Sequence, residues 1–338
     1  MLNHHWRRAI QAIIANSVRK SRPAHSRKHG TRLRLQELED RAVPATFTVN
    51  TLVDENDGIN VGNVSLREAI AAANTTLGAD TIDFSVTGTI NLGSELQLTE
   101  TGASNITTIN GTGITVSGNN AVRVLYVDSN VHATLNNLTI ANGRASEGGG
   151  IYNAGTITID NSTVSDNSAD FGGGIYNTSF GTITIDGSTI SGNSADVGGG
   201  LLNNGTITID NSTVSDNSAQ NSAGGIANSG TIHLNLSTIT NNSADTVGGG
   251  GYNFGLGTFT INNSTVSGNS ANDAGGLFNT DFGTINLTNG TTVSDNSAND
   301  GGGVYNNSGT ITIDNSTVSD NSANDDGGGF TMPAVRLI

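Results

Sequence analysis

Hydrophobic and polar positions alternate in short blocks that recur along most of the chain. In the block GTITID, Ile157 and Ile159 fall on one side of an extended strand, and Thr156 and Thr158 fall on the other. The block STVSDN follows and offers one apolar residue, Val164, for an inward position. Strict alternation of this kind predicts half-buried β-strands. We therefore expect two short strands here, each with one buried face.

These blocks return with a period of about 25 residues from Gly148 onward. Each copy has an Asn after a Gly-rich run, and successive copies lie 24 to 27 residues apart. The seven copies are Asn153, Asn177, Asn203, Asn228, Asn253, Asn279 and Asn306. A fixed period in this range is typical of a solenoid, in which each repeat is covered only by its neighbours. The sequence predicts an all-β, right-handed parallel β-helix of about ten coils, including about three less regular coils before Gly148.

A second Asn series recurs at the end of the STVSDN block. Its members are Asn167, Asn193, Asn217, Asn242, Asn269, Asn296 and Asn321. In stacked coils, both series are expected to form ladders of side-chain amides. An alternative interpretation, compatible with the first, is that they are turn residues that tolerate a left-handed backbone.

Residues 46–100 follow a different pattern and predict a cap for the repeats at 101–338. Thr46–Leu52 alternates as a strand does, and Ser65 with Glu68 forms a capping-box motif at the start of a helix. We expect this helix to run over about Ser65–Asn74 and to cover the open end of the solenoid.

Charge is divided between a basic leader and an acidic body. Residues 1–45 carry ten Lys or Arg and three acids, whereas the remaining 293 residues carry four Arg and 26 acids. The leader is expected to be disordered or export-related. Because an acidic body repels phosphate, we expect no nucleic-acid binding by the repeats. No stretch reaches the length of a membrane span, and the absence of Cys excludes disulfides and thiolate metal sites.

The cap segment resembles a known family. VSLREAIAAAN at 64–74, with ADTIDF at 79–84 and GTINL at 88–92, is similar to the CSLREA domain, although Val64 stands where that family has Cys. The motifs GGGIYN at 148–153 and VSDNSA at 164–169 resemble repeats of polymorphic outer-membrane proteins. These resemblances imply export, surface display and often adhesion, and rarely catalysis.

A β-helix that degrades polysaccharides needs particular catalytic residues, and the sequence shows whether they are present. A lyase needs a base, but between Ala145 and Val335 the chain has no Lys or Arg, and its only His is His233. Arg123 and Arg144 remain as bases, and we expect each to pair with an acid near the cap. The prediction is a protein without catalytic activity, with a pectate-lyase-like enzyme as the alternative.

Stacked acids provide the only candidate metal site. Asp160, Asp186 and Asp210 end the second strand in three successive coils, where mutual repulsion would be relieved by a bound cation. They are our candidate Ca²⁺ ligands, with a solvated acidic face as the alternative, and no other cofactor is expected. In a second series that includes Asp166 and Asp216, neutral residues mostly separate the acids, which suggests avoidance of repulsion.

Two outer faces complete the list of candidate surfaces. Outward Thr-x-Thr pairs, interrupted by His233 and Asn286, resemble the Thr array of ice-binding β-helices and give a third functional alternative. Aromatic residues are candidate contact points, with packing at coil corners as the alternative: Tyr152, Tyr176, Phe180, Tyr252, Phe254, Phe282 and Tyr305.

The sequence as a whole predicts an adhesin-like or structural passenger, extracellular or on the cell surface. Its expected partner is an extracellular polysaccharide or a surface protein, and its oligomeric state is left open.

Overall fold

A computed structural model of the chain describes residues 44–59, 62–102 and 105–331. The predicted basic leader lies outside the described residues except for its last two positions. All the described residues belong to one compact unit. The described part of that unit is nearly all β-strand, with a single helix at Leu66–Ala73.

The strands form four parallel sheets that run along the stack of coils. Sheet 1 contains Thr46–Val49, Thr81–Phe84, Gly88–Asn91, Ile106–Ser117, His132–Ala141, Thr156–Asp160, Thr163–Ser165, Thr182–Asp186, Thr189–Ser191, Thr206–Asp210, Thr213–Ser215, Thr231–Asn235, Thr238–Thr240, Thr258–Asn262, Thr265–Ser267, Thr284–Thr288, Thr292–Ser294, Thr310–Ile313 and Thr317–Ser319. Sheet 2 contains Leu96–Leu98, Leu125–Val127, Ile151–Asn153, Ile175–Asn177, Leu201–Asn203, Ile226–Asn228, Gly251–Asn253, Leu277–Thr280, Val304–Asn307 and Phe330–Thr331. Sheet 3 contains Ser194–Val197, Ser218–Ser222 and Ser243–Ala244, and sheet 4 contains Ser297–Asp300 and Ser322–Asp326.

Equivalent residues of neighbouring coils lie directly opposite one another. Thr182–Asp186 pairs in parallel with Thr156–Asp160 on one side and with Thr206–Asp210 on the other, so that Ile faces Ile and Thr faces Thr. Sheet 2 contributes one strand per coil and has ten strands. The prediction of a parallel β-helix of about ten coils is therefore confirmed.

The inward residues form one continuous apolar core. Ile157 and Ile159 are 0% and 1% exposed, and their equivalents in the following coils belong to the same core cluster. Burial of one such side chain contributes about 1.5–3 kcal/mol. Where sheet 2 has Gly251 instead of Ile or Leu, the strand opposite carries Phe259, whose ring lies against Gly251 and is fully buried. The core volume is thus kept by a compensating pair within one coil.

The corners between strands require a left-handed backbone. Asn161 and Asn211 end one strand block with φ of 46° and 49°, and Asp166 and Asp216 end the next with φ of 55° and 56°. Asn, Asp and Gly adopt this region at the lowest cost. This backbone requirement explains why the second corner holds only Asp, Asn or Gly, and the expected avoidance of repulsion between successive Asp residues stays a prediction.

The Gly-rich runs lie where adjacent coils come closest. A Cβ atom at Gly200 would stand 2.6 Å from the carbonyl oxygen of Gly225 in the next coil. Only glycine fits this contact, which is why the run persists from coil to coil.

The predicted helix at the N-terminal end of the solenoid is confirmed. It spans Leu66–Ala73 with Ser65 as N-cap, and both hydrogen bonds of the capping box are present. Its Leu66, Ala69, Ile70 and Ala73 side chains are buried in the same core as the first coils. Among the described residues no helix is long and apolar enough to cross a membrane.

Candidate functional site

The buried Asn and Ser side chains of the coils form hydrogen bonds that link one coil to the next. In the Asn153 series, each side-chain amide donates to the side-chain oxygen of the next member at 2.8–2.9 Å. These seven residues are at most 1% exposed. The first predicted amide ladder is confirmed, and its buried groups are not accessible to a ligand.

The second Asn series behaves in the same way. Its successive amide contacts measure 2.9–3.0 Å. A third column was not predicted: the hydroxyl of Ser188 accepts from the amide of Ser162, and the pattern continues through Ser212, Ser237 and Ser264 at 3.0–3.1 Å. Any functional chemistry of the repeats therefore has to lie on the outer surface.

The predicted calcium ligands are aligned as expected. Asp160, Asp186 and Asp210 lie opposite one another in three adjacent strands. Asp186 and Asp210 each accept a hydrogen bond from an Asn side chain one coil further on, Asn211 at 3.0 Å and Asn235 at 2.7 Å. In the described ranges no group of three or more His, Asp or Glu is placed to hold a metal ion. Calcium binding here stays a prediction, and neutral amides already serve as partners of two of the three carboxylates.

Aromatic residues on the outside of sheet 2 stack on one another. Tyr126, Tyr152 and Tyr176 have ring centroids 5.0 and 5.4 Å apart with planes within 9° of parallel. The guanidinium of Arg123 lies 5.1 Å from the Tyr152 ring centroid. Because these ring faces cover each other, they are not free to stack on a sugar. The interpretation as packing therefore fits this column, whereas Phe180 and Phe282 are 89% and 78% exposed.

The Thr-x-Thr face points outward as expected. Thr156 and Thr158 are half-buried, and the pairs of successive coils lie in register. His233 sits between Thr208 and Thr260, and Asn286 replaces Thr in the coil after Thr260. The regular part of the array therefore ends after Thr208.

A polar groove runs across five coils beside sheet 3. It has a volume of about 390 Å³ and is lined by a repeated Ser-Ala-acid motif with one Arg at its end. The lining residues are Arg144, Ala145, Ser168, Ala169, Asp170, Ser194, Ala195, Asp196, Ser218, Ala219, Gln220, Ser243 and Asp245. Stacking places Ser168 opposite Ser194, and Ser218 opposite Ser194 and Ser243.

The acidic side chains of this groove are not used by the described part of the protein. In the part of the chain that the structure describes, the carboxylates of Asp170, Asp196 and Asp245 make no hydrogen bond or ion pair. In the two coils that follow Asp245, the same row becomes Asn272 and Asn299, whose amides bond to each other at 2.7 Å. The row thus changes from free acids to mutually bonded amides where the groove ends.

Arg144 corrects one expectation. Arg123 does pair with an acid of the cap, Glu95, at 2.7 Å. Arg144 has no ion pair within the described residues and stands exposed at the end of the groove. The prediction that it pairs with an acid near the cap is wrong, because its exposed side chain lines the groove and forms no ion pair with a carboxylate of the described residues.

The groove was missed from the sequence although its signal was present. Ser-Ala-Asp recurs at 168–170, 194–196 and 243–245, with Ser-Ala-Gln at 218–220. Those segments follow the Asn ladder directly, and no surface role was expected of them. The triplet repeats with the same period as the strands, and that is the observation that would have identified a continuous surface row.

Comparison with known proteins assigns no family to the chain. A scan against protein-family models found no match, and a search of curated proteins found none. The fold alone therefore defines the class of protein, a parallel β-solenoid. The resemblance to the CSLREA domain and to polymorphic outer-membrane protein repeats stays a prediction.

Proposed function

We propose that this protein is an exported β-solenoid that binds an extended, hydroxyl-rich polymer along the Arg144–Asp245 groove and has no catalytic activity. The observation that carries the proposal is the row of serine hydroxyls and free carboxylates repeated along a single groove. The predicted export and surface display, and the family resemblances that imply them, are part of this proposal.

The spacing of the groove suits a polymer better than a small molecule. Coils stack at about 4.8 Å, so that equivalent donors and acceptors recur at that interval. This interval is close to the length of one sugar ring in an extended polysaccharide. A chain lying along the coils would therefore meet a similar set of polar groups at each ring.

Charge narrows the class of polymer. Three free carboxylates line the groove against one guanidinium, and the body as a whole is acidic. Carboxylates accept hydrogen bonds from sugar hydroxyls or pair with amino groups, whereas they repel polyanions. Neutral or amino-bearing polysaccharides are thus favoured, and nucleic acids are disfavoured.

The proposal is tested by filling the groove. Ser218→Tyr places a bulky side chain at an exposed groove position, and Thr206→Tyr does the same on the Thr face of the same coil. Binding to neutral and amino-bearing polysaccharides is measured by calorimetry or glycan array. We expect at least a tenfold loss of affinity with Ser218→Tyr and none with Thr206→Tyr. Equal effects of the two variants, or no binding by the wild type, would refute the groove as the site.

A second candidate is a polysaccharide-cleaving enzyme. Asp170 and Asp196 lie in adjacent coils of the groove, and the amide of Asp196 donates to the carbonyl of Asp170 at 3.0 Å. Two nearby carboxyl groups are what a glycoside hydrolase uses. Asp170 is exposed, however, whereas a general acid is usually held in an apolar pocket. New reducing ends or unsaturated products that disappear in Asp170→Asn or Arg144→Gln would establish this activity in place of simple binding.

A further inference from the structure

Two carboxyl groups are buried under the first coils, and three of their four oxygens have no hydrogen-bond partner among the described residues. Asp80 is 1% exposed and Glu100 is 6% exposed. Oδ2 of Asp80 and both side-chain oxygens of Glu100 are shielded from solvent and have no hydrogen-bond partner. A buried charge without a partner costs several kcal/mol, so native proteins rarely leave one uncompensated.

No basic side chain among the described residues compensates this pair. The two ion pairs found among the described residues join Arg67 to Asp54 and Arg123 to Glu95, and neither involves Asp80 or Glu100. Burial, followed by the negative charge of Asp80, raises the pKa of Glu100, while the amide of Gly78 acts in the opposite direction. The charge of Asp80 therefore acts on Glu100, yet no hydrogen bond joins the two carboxyls.

The pair lies where the outermost strand joins the solenoid. Asp80 directly precedes Thr81–Phe84, and its Oδ1 accepts from the amide of Ala45 at 2.8 Å, next to the edge strand Thr46–Val49. Glu100 follows Leu96–Leu98, the first strand of sheet 2. Any group that bridges the two carboxyls would thus tie the edge strand to the next face of the coil.

We propose that Asp80 and Glu100 bind a calcium ion that secures the N-terminal end of the solenoid. Calcium takes oxygen ligands only, and carboxylates bind it through one or both oxygens. The three free oxygens supply part of its coordination, and carbonyl oxygens and water supply the rest. With so few carboxylates, the expected affinity is in the weak range of about 10⁻⁴–10⁻³ M.

This site is separate from the aligned Asp160, Asp186 and Asp210. Those carboxylates are on the outer surface, and two of them have amide partners. Asp80 and Glu100 lie outside the 25-residue repeat, so no periodic pattern in the sequence brings them together. Their proximity is a consequence of the way the cap folds onto the first coils.

The test is thermal unfolding of the full chain with about 0.1–10 mM CaCl₂ or with a chelator, a range that brackets the affinity expected above, combined with calorimetric titration of CaCl₂. Asp80→Asn and Glu100→Gln are close in shape to the native residues, and the side-chain oxygen that remains at position 80 could still accept from the amide of Ala45. Asp186→Asn is the control for the outer stack. We expect calcium to raise the melting temperature of the wild type and of Asp186→Asn. The melting temperatures of Asp80→Asn and Glu100→Gln should not change with calcium.

Other outcomes would overturn the proposal. A calcium response that survives in Asp80→Asn and Glu100→Gln would place the ion elsewhere, and a response lost only in Asp186→Asn would assign it to the outer stack. Without calcium, the raised pKa of Glu100 makes the protein more stable as the pH falls toward the ordinary carboxyl range. If the wild type shows that acid stabilisation and no calcium response, the pair is held by a proton and not by a metal.

Discussion

Leu236 occupies a corner where most other coils have Asn or Gly. Its φ is 49°, close to the 49° of Asn211 one coil earlier and the 46° of Asn263 one coil later. A left-handed conformation costs an ordinary residue about 1–2 kcal/mol, and Asn less. The Leu side chain is 58% exposed, so little burial compensates for this cost.

Leu236→Asn should therefore stabilise the protein by about 1 kcal/mol. Chemical denaturation measures the change in the free energy of unfolding. The reciprocal variant, Asn211→Leu, should destabilise by a similar amount at the equivalent corner. A loss of stability in Leu236→Asn would mean that the exposed Leu makes a contact that outweighs the backbone strain.

At the scale of single elements, the cap helix depends on one buried carboxylate. Glu68 accepts from the amides of Asp57 at 2.8 Å, Gly58 at 2.7 Å and Ser65 at 2.9 Å. Burial alone would raise the pKa of Glu68, but these hydrogen bonds outweigh burial and the pKa lies below its ordinary value. The interaction of the Asp57 side chain with the Glu68 carboxylate raises the pKa of Asp57.

A lowered pKa in the folded state means that Glu68 stabilises the cap above the ordinary carboxyl range, and that this contribution is lost as the pH falls through its folded pKa. Glu68→Gln should lower the stability at neutral pH by about 1–3 kcal/mol, as expected for buried amides that lose a charged acceptor. It should also flatten the acid limb of a pH series of unfolding measurements. Asp245→Asn, an exposed groove residue, is the control, and an unchanged acid limb in Glu68→Gln would contradict the prediction.

The elements that sequence reasoning predicted well are those governed by local pattern. Alternation predicted that Ile157 and Ile159 are buried, and the capping box predicted that the helix starts at Ser65. Both features are determined by residues that are close together in the sequence. The Asn ladders followed from the period alone. The Ser-Ala-Asp triplet of the groove does repeat in the sequence, but neither the free state of its carboxylates nor the Asp80–Glu100 pair could be found in this way, because side-chain partners in adjacent coils or faces decide whether an acid is free. Arg144 shows the same limit, since its proximity to acids in the chain does not bring it into contact with one.

At the scale of the whole solenoid, stability is expected to be nearly a sum over coils and their interfaces. Deletion of residues 204–228 removes 25 residues, which is the separation of Asn203 from Asn228 in the ladder. The new junction joins Asn203 to Ser229-Gly230-Thr231 in place of Asn204-Gly205-Thr206, so the register is restored one coil later. We expect a folded protein with an unchanged shape of the circular dichroism spectrum and a modest fall in melting temperature.

Deletion of residues 204–215 is the matched control. It removes roughly half a coil, so strands of one face would meet those of another and the Asn columns would be broken. This variant should lose its cooperative unfolding transition. If both deletions behave alike, the coils are not interchangeable units and the additive description fails.

The two buried amide ladders also give the solenoid an electrical direction. In both, one side-chain N–H of each Asn donates to the side-chain oxygen of the next coil along the chain, from Asn153 to Asn306 and from Asn167 to Asn321. The second N–H of each amide in the Asn167 series donates to a backbone carbonyl of the previous coil, so that only the ladder bonds themselves share one direction. Amide dipoles aligned head to tail add, as they do along a helix, and the apolar core screens them little. The early coils therefore carry the negative pole and the late coils the positive pole, and this polarity is produced by residues that have no net charge.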